Sequence, residues 1–246
     1  KYRFSHVIHL AAQAGVRYSL ENPQEYIDTN ISGFLNIIES SKKNKPNILY
    51  ASSSSVYGAN KVLPFNESQK TEEQLSLYGV TKKTNEMMAY AYSHLYDINL
   101  IGLRFFTVYG PWGRPDMALF KFVKNILDSK PIKLFNHGNH VRSFTYIDDI
   151  VYSIRKILYK KGIFDRHKVF NIGGIKAVKL KDYITCIEDY LGKKANIDYL
   201  PLQLGDVEKT EASTTILYRE INFEPSISID EGIPKFIEWY KKFYKH

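Results

Sequence analysis

The sequence predicts an α/β fold: a doubly wound parallel sheet with helices on both faces, joined to a smaller C-terminal α/β cap. Three observations carry this. Strand and helix patterns alternate through the first half of the chain, the mark of successive strand–helix–strand units. The opening run, Lys1-Tyr2-Arg3-Phe4-Ser5-His6-Val7-Ile8-His9-Leu10, already reads as an interior strand. The chain has 246 residues, 44% hydrophobic and 24% charged, enough for a large core at ordinary composition.

The elements follow in order. Residues 6–10 form the first strand. Asn22-Pro23-Gln24-Glu25 starts a helix well, since Asn22 can cap, Pro23 suits the first helical position and Glu25 can close a capping box. That helix runs to about residue 41, with Ile27, Ile31, Phe34, Leu35 and Ile38 on one face. Residues 47–52 form a strand, 72–96 a helix and 99–105 a strand. Beyond residue 110 the elements are shorter and broken by Gly and Pro. Helices are expected over residues 117–129, 148–160 and 180–191, and strands over 132–135, 169–172 and 197–200. Two helices, over about 213–221 and 230–244, close the chain. The division that follows is a sheet-bearing domain over residues 1–110 and a cap over 111–246, some of whose segments return to the sheet.

The formal charge of +8 comes mostly from dispersed lysines. It reads as a solvated surface or as attraction for a small anionic substrate. With no nucleic-acid motif beside it, a nucleic-acid partner is not expected. A single cysteine, Cys186, excludes an internal disulfide framework and suits a reducing compartment. No signal peptide and no membrane-spanning apolar run is visible, so a cytoplasmic protein without a membrane partner is expected. His6, His9, His94, His137, His140, His167 and His246 show no metal-ligand spacing, and no metal is expected.

Chemistry concentrates in three residues. Tyr78-Gly79-Val80-Thr81-Lys82 sets a phenol and an ammonium four residues apart, on one face of a helix. Ser53 lies upstream, where the strand Ile48-Leu49-Tyr50-Ala51 breaks into Ser52-Ser53-Ser54-Ser55-Val56-Tyr57-Gly58. A phenol with an ordinary pKa near 10 is a poor base at neutral pH. A nearby ammonium favours the phenolate, which can then take a proton from a hydroxyl.

Other segments complete a pattern. These are His9-Leu10-Ala11-Ala12-Gln13-Ala14-Gly15-Val16-Arg17-Tyr18-Ser19, Leu103-Arg104-Phe105-Phe106-Thr107-Val108-Tyr109-Gly110-Pro111, Arg142-Ser143-Phe144-Thr145-Tyr146-Ile147-Asp148-Asp149 and Gly205-Asp206-Val207. In this order the chain resembles the extended short-chain dehydrogenases/reductases acting on nucleotide sugars. The Ala-Gly-Val-Arg-Tyr-Ser and Phe-Phe-Thr-Val-Tyr-Gly-Pro-Trp-Gly-Arg-Pro-Asp-Met segments look most like UDP-glucuronate 4-epimerases. The resemblance implies a Rossmann-like sheet, NAD as cofactor, a UDP-sugar as substrate and a homodimer pairing the helices over 22–41 and 72–96. The family begins with a glycine-rich strand–turn–helix that holds the NAD pyrophosphate. About seventy to eighty residues of that kind are missing here, judged by the usual βαβ span, so a truncated epimerase is expected. Ser143 is a smaller departure, where the family more often has Asp.

The resemblance also assigns roles. Ser53, Tyr78 and Lys82 are catalytic: Ser53 bonds the sugar O4, Tyr78 is base and then acid there, and Lys82 binds the nicotinamide ribose and lowers the Tyr78 pKa. Leu10, Ala11, Ala12, Ala14, Asn30, Ser52, Phe105 and Val108 are expected to accompany Tyr78 and Lys82 around NAD. Core packing stays open for Phe105 and Val108, and backbone capping for Ser52. Arg17, Ser53, Ser54, Phe106, Thr107, Arg114, Phe135, Arg142 and Asp206 are expected at the substrate. Thr107 and Arg114 would meet a C5 carboxylate, the latter with a bidentate fork. Arg142 would meet the pyrophosphate, and Asp206 the uridine ribose. Ser54-Ser55 stand where dehydratases of this scaffold carry Asp-Glu, which argues against water elimination. UDP-glucose 4-epimerisation, UDP-glucuronate decarboxylation and a purely nucleotide-sugar-binding fragment remain the alternatives.

Overall fold

A short strand, β1 (His6–His9), leads the chain, described over residues 3–174 and 176–245 in a computed structural model. His246 therefore lies outside the described residues. A short helix not foreseen, α1 (Tyr18–Glu21), comes next, and the stretch expected as one helix over 22–41 is three pieces: α2 (Pro23–Tyr26), a π-helical turn (Ile27–Ser32) and α3 (Gly33–Ser41). Pro23 opens α2 as expected, but Asn22 makes no side-chain cap bond and the capping box does not form. The reason is that Asn22 also ends α1. Its N–H donates to Tyr18 O at 2.9 Å, and φ −130°, ψ 66° is not the extended geometry a capping residue needs.

Next comes β2 (Asn47–Ser53), which runs into a 3-10 turn (Ser54–Tyr57) opened by Ser53 Oγ accepting from Ser55 N at 3.1 Å. The following helix, α4 (Leu77–Tyr96), starts later than the expected residue 72 because Ser76 caps it, its Oγ accepting from Gly79 N at 3.1 Å. The remaining elements are β3 (Leu100–Phe105), β4 (Thr107–Tyr109), α5 (Ala118–Leu127), β5 (Ile132–Leu134), β6 (Val141–Tyr146), α6 (Ile147–Tyr159), β7 (His167–Ile172), β8 (Ala177–Lys179), α7 (Leu180–Leu191), β9 (Ile197–Tyr199), α8 (Thr215–Ile221) and α9 (Ile229–Tyr244).

The main sheet has the order β1-β2-β3-β7 and is parallel throughout. Its last strand, β7, comes from beyond residue 110. Two small sheets, β4-β6-β8 and β5-β9, build the other part of the molecule; β4, β6 and β8 were not anticipated from the sequence. Register places Ser53 opposite Phe105, and Phe105 opposite Ile172. The carboxyl ends of three strands thus share one rim, where open α/β sheets bind ligands. Among the described residues β1 pairs with β2 alone.

Helices cover both faces. Phe34, Ile38 and Ala89 of α3 and α4 bury Ile48, Tyr50 and Leu100. Ile150, Ile154, Ile157, Leu217 and Ile221 of α6 and α8 bury Leu49, Ile101, Leu103 and Phe170. Each such side chain contributes roughly 1.5–3 kcal/mol by burial. A third core joins α5, α7 and α9 through Val123, Ile184, Phe236 and Tyr240. Gly102 has a local purpose: a Cβ there would lie 2.6 Å from the Tyr50 hydroxyl, which crosses β3 to reach His167 Nε2 at 2.8 Å.

Candidate active site

Tyr78 and Lys82 lie one turn apart on α4, which packs along β2, and Ser53 closes that strand. Lys82 is 3% exposed, and its ammonium donates to Ala51 O at 2.8 Å. Burial pushes Lys82 down to about 8. Burial also lifts the half-buried Tyr78 phenol above the ordinary tyrosine value. A hydrogen bond from Ser53 and the charge of Arg114 act against that lift without overcoming it. This corrects the expectation that Lys82 depresses Tyr78. The desolvated ammonium is engaged with a carbonyl, and the opposing charge belongs to Arg114.

The segment after β1 is held from behind. Asn30, 2% exposed within the π-turn, accepts from Gln13 N at 2.8 Å and donates to Gln13 O at 2.9 Å and Thr81 Oγ1 at 3.0 Å. Its own carbonyl accepts from Asn85 Nδ2 at 2.7 Å. One side chain thus ties the Leu10–Ala14 segment to α4, at the kind of π-bulge that recurs at functional sites. Leu10 and Ala11 are exposed and Ala12 and Ala14 half-buried. Phe105 and Val108 are half-buried against the core that contains Ile172.

Ser52 is placed elsewhere. It is buried, and its hydroxyl donates to Glu86 Oε1 at 2.7 Å, because alternate residues of a strand point to opposite faces. Sequence reasoning missed the network it joins. Arg104 pairs bidentately with Glu86 at 2.8 Å on both arms and donates to the Tyr57 hydroxyl at 3.0 Å; Tyr57 in turn donates to Asn171 Oδ1 at 2.7 Å. An arginine inside an apolar strand was the available signal, since a buried charge demands a partner.

At the substrate side, Ser54 is half-buried just past Ser53. Thr107 and Arg114 line one cavity with Met117, Phe144 and Tyr183. Phe106 does not open towards it: it is packed among Val56, Tyr57, Phe65 and Ala212. Arg114 differs from expectation as well. Its Nε donates to Asp116 Oδ1 at 2.9 Å and its Nη2 to Asp116 Oδ2, so the fork is already on a protein carboxylate. The same Nη2 approaches Ala14 O at 3.4 Å.

The other predicted substrate residues converge. The Arg17 guanidinium lies 4.3 Å over the Phe135 ring. Asp206 faces Arg142 Nη2 at 3.2 Å, His140 Nε2 at 3.4 Å and Arg17 Nη2 at 3.9 Å. Burial raises the Asp206 carboxyl, but the His140 contact and the Arg142 and Arg17 charges outweigh it and hold it below the usual range. Buried His140 was not foreseen, and no spacing marked it.

The site therefore offers a hydroxyl–phenol pair at one end and two guanidinium groups beside a carboxylate at the other. Small side chains after β1, with a buried ammonium beside them, fit the nicotinamide–ribose half of NAD. Among the described residues there is no group of three metal-ligating side chains and no helix long and apolar enough to cross a membrane.

Comparison with known proteins agrees with this geometry. The profile of the NAD dependent epimerase/dehydratase family matches residues 1–173. A probable UDP-glucuronate 4-epimerase of Rhizobium meliloti is 44% identical, over 97% of this chain and 75% of its own length. The solved UDP-glucuronic acid 4-epimerase of Bacillus cereus, in complex with UDP-glucuronic acid and NAD, superposes with a TM-score of 0.93 at 34% identity, over 98% of this chain and 76% of that one. The solved UDP-glucose 4-epimerase of Thermotoga maritima gives a TM-score of 0.90 at 29% identity, over 98% and 78%. With its strand-end serine, its Tyr-x-x-x-Lys helix and this sheet, the chain belongs to the NAD dependent epimerase/dehydratase family, as an NAD-dependent UDP-sugar 4-epimerase.

Proposed function

We propose that the sugar is UDP-glucuronate, interconverted with UDP-galacturonate through a 4-keto intermediate. The observation that carries this is the placement of Arg114, a cation whose Nη2 stands 3.4 Å from Ala14 O in the segment after β1 and which lines one cavity with Thr107. A cation beside the reacting carbon suits a sugar with a carboxylate at C5.

Tyr78 takes the O4 proton, with Ser53 bonded to the same oxygen. Bound NAD supplies the hydride acceptor and donor for C4. After the sugar has turned its other face, Tyr78 returns the proton to O4. Lys82, held by Ala51 O, keeps its remaining N–H donors for the ribose hydroxyls. Ser54 adds a hydroxyl at the hexose. Arg17 would supply a donor to the diphosphate, with Phe135 beside the base and Asp206 at its ribose. Arg142, expected there as well, instead donates its Nη1 to Val141 O and Glu208 O and its Nη2 to Val207 O and Asp206, and so holds Asp206 in place. A 4-ketone lies β to the C5 carboxylate, so loss of carbon dioxide competes. Thr107 and Arg114 oppose that loss by holding the carboxylate in the ring plane.

The test is turnover of the full-length protein on UDP-glucuronate, UDP-glucose and UDP-galactose, with Tyr78→Phe alongside. The expected result is a preference for UDP-glucuronate and a loss of about 10²–10⁴-fold in Tyr78→Phe, the order of a general acid–base contribution. A Thr107→Ala/Arg114→Ala double variant is expected to release a UDP-pentose; none formed would count against the clamp. One observation favours UDP-glucose instead: Asp116 already neutralises Arg114.

We further propose a homodimer. Met87 and Tyr90 on α4 are 62% and 66% exposed, and Leu35 and Val80 are also exposed on α3 and α4. Two helices from each copy would then pack as a four-helix bundle.

A further inference from the structure

We propose that Tyr26 is a positioning residue that fixes where Arg114 stands relative to Tyr78, and so sets how sharply the enzyme separates a sugar bearing a carboxylate from a neutral one. This rests on the UDP-glucuronate reading above. Tyr26 lies on α2 and is fully buried. Its ring meets that of Tyr78 edge-on, with centroids 6.2 Å apart and planes at 77°. Its hydroxyl donates to Gly15 O at 2.6 Å and lies 3.1 Å from Ala14 O. Ala14 O is the carbonyl that Arg114 Nη2 approaches.

The turn between these groups depends on a glycine backbone. Gly15 has φ +110°, which L side chains rarely adopt. A Cβ there would lie 3.5 Å from Arg114 Nη2 and 3.7 Å from the Tyr26 hydroxyl. The Arg114 guanidinium is held from one side by Asp116, itself more than half exposed, and from the other by this turn. Without the Tyr26 hydroxyl, the Gly15 carbonyl loses its donor, the neighbouring Ala14 carbonyl loses a polar contact, and the turn relaxes. Arg114 then follows Asp116 towards solvent, away from Tyr78. The Tyr26 ring keeps its packing whether or not it carries oxygen, so the hydroxyl alone can be tested.

The experiment compares Tyr26→Phe with the unaltered full-length enzyme on UDP-glucuronate and UDP-glucose. The expected result is a fall of about tenfold in the ratio of the two kcat/KM values, borne by UDP-glucuronate, as one misplaced charged contact produces. Calorimetric affinity for UDP-glucuronate falls with it. Gly15→Ala strains the same turn with Tyr26 intact and lowers the ratio in the same direction. A parallel fall on both substrates, as from a merely structural loss, overturns the proposal, and so does an unchanged ratio. Tyr78→Phe separates the two levels of failure. If it abolishes turnover and the unaltered enzyme prefers UDP-glucuronate, while Tyr26→Phe leaves the ratio alone, only the role of Tyr26 falls. If the unaltered enzyme prefers UDP-glucose, the uronate reading falls and takes this proposal with it.

Discussion

Lys82 is an ammonium kept where water scarcely reaches, held by one carbonyl. Its folded value of about 8 lies below the ordinary lysine value of 10.5, so below pH 8 the folded chain carries a charge that burial opposes. That destabilisation is complete below pH 8 and fades as pH rises to 10.5, where the unfolded chain also loses the proton. Lys82→Met is therefore expected to raise the thermal midpoint at pH 7, with a gain of at most about 3 kcal/mol. The gain should shrink towards pH 10.5 while epimerisation is lost at every pH; a variant no more stable than the parent at pH 7 contradicts this. At the same scale, the spacing of Tyr78 and Lys82 was legible because a helix makes it legible. The source of charge near Tyr78 was not. Arg114 lies far along the chain, and only the folded loop brings it past Ala14.

Elements were legible where apolar patterns were long. The strands β2 and β3 and the helices α4, α7 and α9 lie close to their expected spans. The break of residues 22–41 into three pieces was hidden, because Ile27, Ile31, Phe34 and Ile38 keep an apolar face through the π-turn. β4 and β8 were hidden by their brevity, and β6 by Arg142, Ser143 and Thr145, polar residues whose partners come from other segments. Arg142 turns to Asp206, Ser143 Oγ accepts from Ala212 N at 3.1 Å, and Thr145 Oγ1 accepts from Gly174 N at 2.9 Å. The start of β7 yields a prediction. Burial lowers His167 to about 4, and its Nε2 stands against the Tyr50 hydroxyl. The neutral ring's contribution is complete above pH 6.5 and is lost as pH falls towards 4, since the unfolded chain takes up the proton first. Denaturant unfolding at pH 7 and pH 5 should show the parent losing about 1–2 kcal/mol more than His167→Gln over that interval. Equal losses would remove His167 from the account.

For the whole molecule, the alternation of strands and helices foretold a parallel sheet and a cap. The return of β7 to that sheet, from a position after three cap strands, is long-range pairing that no local pattern encodes. Association is the property to test at this scale. Met87→Glu/Tyr90→Glu places charges on the exposed face of α4, and light scattering should then give the mass of one chain where the parent gives two. A parent already running as a single chain would refute the bundle.

The Asn30 amide has a consequence of its own. It grips Gln13 on both sides and reaches Thr81 as well, so an Asn30→Asp exchange would strip both donated bonds at once and let the loop behind the cofactor drift from the helix that bears the phenol.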